Sequence, residues 1–453
     1  MHMPGHKRNP AFAPGSFMHD ITEIDGLDDL HDPHGVILNI EKKASLLYSS
    51  DAAYISVNGS TALIISAILS TVREGQKAAV MSNCHISVWH ALETGRITPV
   101  IIDPDMADKT FAGKVSPHKV REVLEKDPEI KALVITSPTY DGILSDTQEI
   151  KRITEGLGVS LITDAAHGAH LGLKGTSFPP FPSGDLVITS LHKTLHSPTQ
   201  TAVMLSYGKK AQECSSLIRH YLSIFESSSP SYVLMEGIDR CLSDMLTKEG
   251  ITASWEDALS GTRKVLDTSL KRLRLLPSDD PSKIVIGTLP FMTGYSLASV
   301  LRDGYGIEIE AAYKDRIIAM TGIGDTAESL GSFTDALIRI DGSVNDAGDE
   351  TAMEKECIPD SALYSHGSFA VRIADAVTSD KESVHAESSA GRTSAEFIFA
   401  YPPGIPALIP GEVITKEKAE ALKKLFDEGE DGPRLRFDPM RNNDGCIVCT
   451  SVQ

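Results

Sequence analysis

Between about residues 53 and 206, short apolar runs alternate with helical segments, and this alternation leaves few architectures open. Ala78–Met81, Pro99–Ile102, Ala132–Thr136, Val159–Thr163, Leu186–Thr189 and Ala202–Leu205 read as strands. Ala62–Leu69 reads as a helix, and His118–Lys126 and Thr147–Glu155 are amphipathic. Strand and helix in alternation imply an α/β fold, a mostly parallel sheet with helices on both faces. Ligands of such sheets bind beyond the carboxyl ends of the strands.

Two of those ends carry reactive groups. The run closing at Thr163 is followed by Asp164-Ala165-Ala166-His167, and the run closing at Thr189 by Ser190-Leu191-His192-Lys193. A carboxylate and a lysine from neighbouring strands are what pyridoxal phosphate (PLP) requires. The lysine holds the cofactor as a Schiff base, and the carboxylate keeps the pyridine nitrogen protonated so that the ring draws electrons. Asn58-Gly59-Ser60-Thr61 directly precedes the first long apolar helix. The turn is either a plain helix cap or an anion site made by free N–H groups and the helix dipole. The Asp164/Lys193 pair in the same sheet favours phosphate, with Ser190 and His192 as further donors. His85, after the run Ala78–Met81, sits where it could stack on the ring and protonate a substrate carbon. Thr139, in the turn after Thr136, could bond the cofactor's phenolic oxygen. Asp164, His167 and His170, with His192 and His196, could instead form a metal cluster. That spacing matches no strong metal motif and leaves Lys193 without a purpose, so no metal is expected.

At 453 residues the chain exceeds one ordinary domain. We expect an arm over 1–40, a cofactor-binding large domain over 41–284 and a smaller α+β domain over 285–453. Residues 210–280 read as helical, with Glu256–Leu275 one long amphipathic stretch. Ile284–Ile286 and Ile317–Met320 read as strands, Tyr295–Arg302 as a helix, and 345–390 as a polar region with a surface loop. Net charge is 43 − 62 = −19, which argues against general binding to nucleic acid or anionic membranes. No apolar stretch reaches spanning length, the amino terminus has no signal-peptide core, and six cysteines are scattered. These features point to the cytoplasm. Cys446 and Cys449 read as two reduced thiols in a terminal strand.

The chain resembles the Orn/Lys/Arg decarboxylases among the aspartate-aminotransferase-like, fold type I PLP enzymes. The resemblance rests on Pro4-Gly5-His6-Lys7, the run Asp20–Leu30, Val57–Thr61, Asn83-Cys84-His85, Ser137–Gly142, Asp164–His167 and Ser190–Lys193. Late in the chain it rests on Gly391-Arg392, Tyr401–Pro406 and Pro410-Gly411-Glu412. It implies decarboxylation of arginine, lysine or ornithine to the corresponding amine, in polyamine-related metabolism. It implies that Lys193 binds the cofactor, Asp164 pairs with the pyridine nitrogen, His167 sits beside it and His85 stacks. Gly59, Ser60, Thr61, Ser190 and His192 would hold the phosphate, and Thr139 the phenolic oxygen. Glu310 would meet the substrate's distal cationic group, although Glu308 is close by. A homodimer or higher homo-oligomer is implied, with the site at the interface and Glu226–Tyr232 supplied by the partner. The start at the Pro-Gly-His-Lys arm resembles the short bacterial type without a regulatory domain. Ile86 and Ser82 depart from the family pattern and leave substrate identity open. The alternative within PLP chemistry is an aminotransferase or aldolase. A non-catalytic binder would have no need of Lys193, Asp164 and His85.

Overall fold

The computed structural model describes residues 2–13, 15–106, 113–344, 360–400, 404–427, 435–438 and 443–451. A seven-stranded sheet forms from β1 (Ala52–Ser56), β2 (Lys77–Met81), β3 (Thr98–Ile102), β4 (Ile130–Thr136), β5 (Ser160–Asp164), β6 (Leu186–Ser190) and β7 (Ala202–Ser206). Its order is β1-β7-β6-β5-β4-β2-β3. The contiguous block from β6 to β3 is parallel. β7 runs antiparallel to both its neighbours, β1 and β6. The sheet is therefore mostly parallel, as the alternation implied. β1 is a seventh strand that the apolar pattern did not single out.

Period-two alternation explains how one sheet serves two cores. Along β7, Ala202 and Met204 enter a cluster with Ile68, Ala79, Trp89 and Leu133. Val203 and Leu205 point the other way, to Ile37, Ile55, Val187 and Ile238. Both faces are covered, so the middles of these strands are mainly apolar, and polar residues such as Lys77, Asp164 and Ser206 sit at or near their ends.

The arm is irregular as far as Gly35 apart from a short 3-10 helix, Gly15–His19, and an α-helix begins at Val36 (Val36–Tyr48), inside the span expected to be arm. The Asp28 carboxylate starts it, accepting from the N–H groups of His34, Gly35 and Ile37 at 2.8, 2.6 and 3.0 Å. The stretch expected as one helix over Glu256–Leu275 ends earlier. The helix is Ala253–Ser269, followed by the short strand β8 (Arg274–Leu275). The Asp341 carboxylate takes the N–H groups of Lys271, Arg272 and Leu273 at 3.0, 2.8 and 2.7 Å, which a continuing helix would have kept for itself.

Among the described residues, 285–453 contribute to two large apolar cores and to a small cluster of Val285, Ala311 and Ile318 with Ile143 and Leu276. The first packs the antiparallel sheet β10-β11-β9-β8 (β9 Lys283–Gly287, β10 Ala311–Ala312, β11 Arg316–Met320) under the helices Ala253–Ser269 and Ala327–Ser343. It thus recruits a helix from before residue 285. The second core gathers Ile398, Leu408, Leu422, Phe426 and Ile447 beneath the helix Lys416–Asp427. Part of the region expected as polar loop is ordered here: a helix Ile373–Val377 and the strand β12 (Lys381–His385). Residues 345–359 lie outside the described residues. β12 pairs with the last strand, Cys446–Thr450, whose two cysteines are free thiols, as read. Among the described residues, no helix is long and apolar enough to cross a membrane.

Candidate active site

β5 ends at Asp164, and β6 runs into a single helical turn, Leu191–Thr194, that carries Lys193. The two strands are parallel neighbours, so both groups emerge at the same edge. A cavity of about 500 Å³ opens there. Asp164, Lys193, His167, His85, Gly59, Ser60, Thr61, Thr139, Ser190, His192 and Glu310 all line it.

Lys193 Nζ lies 2.8 Å from His167 Nε2. Burial lowers the lysine's pKa, opposed by the charges of Asp164 and Glu310. Burial, reinforced by Lys193, holds His167 well below the usual imidazole range, so its ring is neutral. With Nε2 facing the lysine, His167 Nδ1 is buried without a partner. Burial pushes the Asp164 carboxyl up, while Lys193 and the Ala166 N–H, at 3.0 Å from Oδ1, pull it down. His85 caps the helix Ile86–Thr94 by accepting from the Ser87 N–H at Nδ1, 3.2 Å. Burial, then Lys193, moves it down to about 4, leaving an uncharged ring on the cavity wall.

The turn at residues 58–61 has the form of an anion cup. Gly59 adopts φ +74° at the start of the helix Gly59–Thr71, a conformation that favours glycine. Its N–H is fixed to Gln200 O at 2.9 Å. Ser60 Oγ and Ser190 Oγ stand 3.0 Å apart, joining this turn to the one that bears the lysine. His192 Nδ1 donates to Thr201 O at 2.9 Å. Thr139 Oγ1 accepts from the Ile143 N–H at 3.0 Å, which leaves its hydroxyl hydrogen for a ligand. A buried lysine, a buried carboxylate, an uncharged ring and a hydroxyl-rich helix start match the parts of PLP: aldehyde, pyridine nitrogen, ring face and phosphate. The residues present fit that cofactor.

Glu310 reaches the cavity, where Tyr140 OH donates to its Oε1 at 2.6 Å. Glu308 instead lies exposed, with Arg302 as its neighbour at 3.9 Å. The sequence reading assigned no role to Tyr140, Asp141, Tyr313, Tyr364 or Gln200, which also line the cavity. Asp141 is paired with the buried Arg316, Oδ1 to Nε 2.8 Å, and the guanidinium lies 4.0 Å from the Tyr313 ring centre. Asp141 and Arg316 are 175 residues apart along the chain and Tyr140 and Glu310 170, so no local pattern announces these pairings.

The histidines of the alternative metal reading diverge. His170 Nε2 bonds Asp280 Oδ1 at 2.9 Å, and His196 Nε2 bonds Asp244 Oδ2 at 3.1 Å. Among the described residues, no group of three or more His, Cys, Asp or Glu side chains is placed to hold a metal ion. The segment Glu226–Tyr232 contributes nothing to this chain's own cavity lining; Ser231 caps the helix Tyr232–Thr247. Tyr401, Pro402 and Pro403 lie outside the described residues.

Comparison with known proteins agrees with this geometry. Residues 2–277 match the family described as Orn/Lys/Arg decarboxylase, major domain, and residues 366–428 match its C-terminal domain. A protein named YaaO from Bacillus subtilis is 31% identical over 94% of this chain and 90% of its own length. An arginine decarboxylase of Halalkalibacterium halodurans is 28% identical over 93% of this chain and 89% of its own. The lysine decarboxylase LdcF of Francisella novicida superposes with a TM-score of 0.81 at 18% identity, covering 99% of this chain and 78% of that one. The constitutive lysine decarboxylase of Escherichia coli gives 0.77 at 20% identity, covering 99% and 79%. The chain therefore belongs to the Orn/Lys/Arg decarboxylase family.

Proposed function

We propose that this cavity decarboxylates L-arginine, with the residues that line it in the roles argued below. PLP-dependent decarboxylation of a basic amino acid is the activity of the family to which the chain belongs. Arginine is favoured because curated relatives matching most of the chain at 25–28% identity carry the name arginine decarboxylase, whereas those named lysine decarboxylase match at 21–22%. The observation that carries the reading is the convergence of Lys193, Asp164 and Glu310 on one cavity.

Bound PLP supplies an electron sink for the pair left when carbon dioxide departs. The chain's residues do the rest. Lys193, its pKa lowered by burial and its Nζ facing the neutral His167 Nε2 at 2.8 Å, would present the free amine to the cofactor's aldehyde carbon. Asp164 would hold a proton on the pyridine nitrogen. The uncharged His85 ring would cover the pyridine face. Ser60, Thr61, Ser190 and His192 would grip the phosphate, with Gly59 shaping the turn, and Thr139 would meet the phenolic oxygen. Lys193 and His167 are the groups placed to return a proton to the substrate's α-carbon. Among the described residues lining the cavity there is no arginine to clamp the substrate α-carboxylate, which suits a reaction that expels that group. Burial of Lys193, Asp164 and His167 keeps water away from the departing carboxylate.

Glu310, steadied by Tyr140, would meet the guanidinium. Carbon dioxide release from arginine, lysine and ornithine in parallel tests the choice. Glu310→Gln should raise KM for the preferred substrate by roughly 10–100-fold, the worth of one hydrogen bond to a charged group. Bound-cofactor absorbance should stay as it was. Unchanged kinetic constants would remove Glu310 from the substrate's path.

A homodimer is part of this reading. Phe12 and Phe17 on the arm, Leu46 and Ile224 are 74%, 55%, 71% and 55% exposed, an apolar surface a lone protomer would leave wet. Light scattering should return twice the mass of the chain, and a monomer at working concentration would contradict it.

A further inference from the structure

Gly404 and Glu412, from the late stretches that carry the family resemblance, do not line the cavity. Both bear instead on the helix Ile86–Thr94, whose start is capped by His85. The Gly404 carbonyl accepts from the Ile86 N–H at 3.0 Å, on one side of His85. On the other side, the Cys84 carbonyl accepts from the Trp89 indole N–H at 3.3 Å. The backbone is thus pinned at both residues that flank the ring.

Trp89 is fully buried, and its indole meets the His366 ring edge to face, 5.3 Å between centres and 71° between planes. His366 opens the stretch that matches the family's C-terminal domain. Its Nδ1 donates to Glu412 Oε2 at 2.9 Å, with both side chains wholly buried. His366 Nε2 has no hydrogen-bond partner among the described residues, so the bond to Glu412 is the polar contact that sets the ring's rotation. Glu412 is fixed in turn, accepting from the Gly367 N–H at 3.1 Å and the Ile409 N–H at 3.3 Å. Glu412, His366, Trp89 and the Cys84 carbonyl form one buried chain of contacts that ends beside His85. The His85 ring is tied to its own helix, since Nδ1 accepts from the Ser87 N–H. It therefore sits wherever the helix start is held.

We propose, on the reading that His85 stacks on the pyridine, that Trp89, braced by His366 of the C-terminal domain, is a positioning residue that seats the His85 ring against the cofactor. A displacement of about 1 Å in a group set against the reacting atoms can cost about 10²-fold in rate. Loss of one of the two flanking bonds should cost part of that. The Arg96–Asp375 ion pair supplies a contrast. It joins the far end of the same helix to the helix Ile373–Val377, and so ties the same two parts of the chain away from His85.

The test compares full-chain holoenzymes carrying Trp89→Phe, His85→Ala, both together, and Arg96→Gln. Trp89→Phe keeps an aromatic ring beside His366 and removes the N–H that holds Cys84. It should lower kcat by roughly tenfold with KM within about twofold. It should also change the visible circular dichroism of the bound cofactor, which reports how the ring is held. In the His85→Ala background the same change should cost less than about twofold in kcat and leave the dichroism of His85→Ala as it was, because the two residues act as one unit. Arg96→Gln should match the wild type in both measurements. If Trp89→Phe yields no folded protein, His366→Gln takes its place with the same expected pattern: it keeps a donor for Glu412 and removes the ring beside Trp89. Equal losses with and without His85, wild-type kcat and dichroism in the Trp89 variant, or an equal effect of Arg96→Gln would each overturn the proposal and leave the stacking of His85 standing. A His85→Ala enzyme with wild-type kcat and dichroism would overturn the stacking itself, and the proposal with it.

Discussion

Lys193→Ala should lower turnover by at least about 10⁴-fold, because it removes both the amine that carries the cofactor and one of two groups placed to reprotonate the product. The fold should survive. Lys193 sits in a four-residue turn, and among the described residues its one side-chain hydrogen bond is to the neutral His167. The loss should also appear without any kinetics. Borohydride should fix cofactor covalently to the wild type and not to the variant. Undiminished release of carbon dioxide from Lys193→Ala would end the assignment of the site.

Asp164→Asn should cost about 10³-fold in kcat, within the range of a well-placed proton-holding group. The substitution preserves volume and can keep the 3.0 Å bond from the Ala166 N–H through its amide oxygen. It loses the negative charge that would keep a proton on the pyridine nitrogen. The variant should therefore still load cofactor on Lys193 and still be fixed by borohydride, yet turn over slowly. This separates it from Lys193→Ala, which fails at loading. Near-normal kcat in Asp164→Asn would mean that another group holds that proton.

Much of the site was legible in the sequence because its parts lie at strand ends. Asp164 and Lys193 follow apolar runs directly, and the parallel pairing of β5 with β6 is what brings them together. The Asn58–Thr61 turn was legible for the same reason, as it opens a long apolar helix. Pairings across the chain were not. Tyr140 meets Glu310, Arg316 meets Asp141 and Asp341 ends a helix at Ser269, through polar contacts that leave no periodic trace. The direction of β7 was equally hidden. Its apolar run, Ala202–Leu205, reads the same in either sense, since alternation of side chains is blind to polarity. β1 escaped notice because Ala52–Ser56 carries only two large apolar side chains, Tyr54 and Ile55, too few to stand out as an apolar run. The two late cores were read as one, because the helix that completes the first of them precedes the composition change near 285.

The reversal of β7 has a consequence for the order of assembly. β1 lies at the sheet edge and is joined to it through β7 alone, with Ala52 opposite Ser206 and Ser56 opposite Ala202. The first strand to leave the ribosome thus has no place in the sheet until the last strand is made. Gly59, three residues beyond β1, is tied at its N–H to Gln200, just before β7. A nascent chain holding Asp164 and even Lys193 still lacks the finished Asn58–Thr61 turn proposed to hold the phosphate. Loading of the vitamin-derived group must therefore wait for a contact that closes some 150 residues of chain, among the slowest kinds of step in folding.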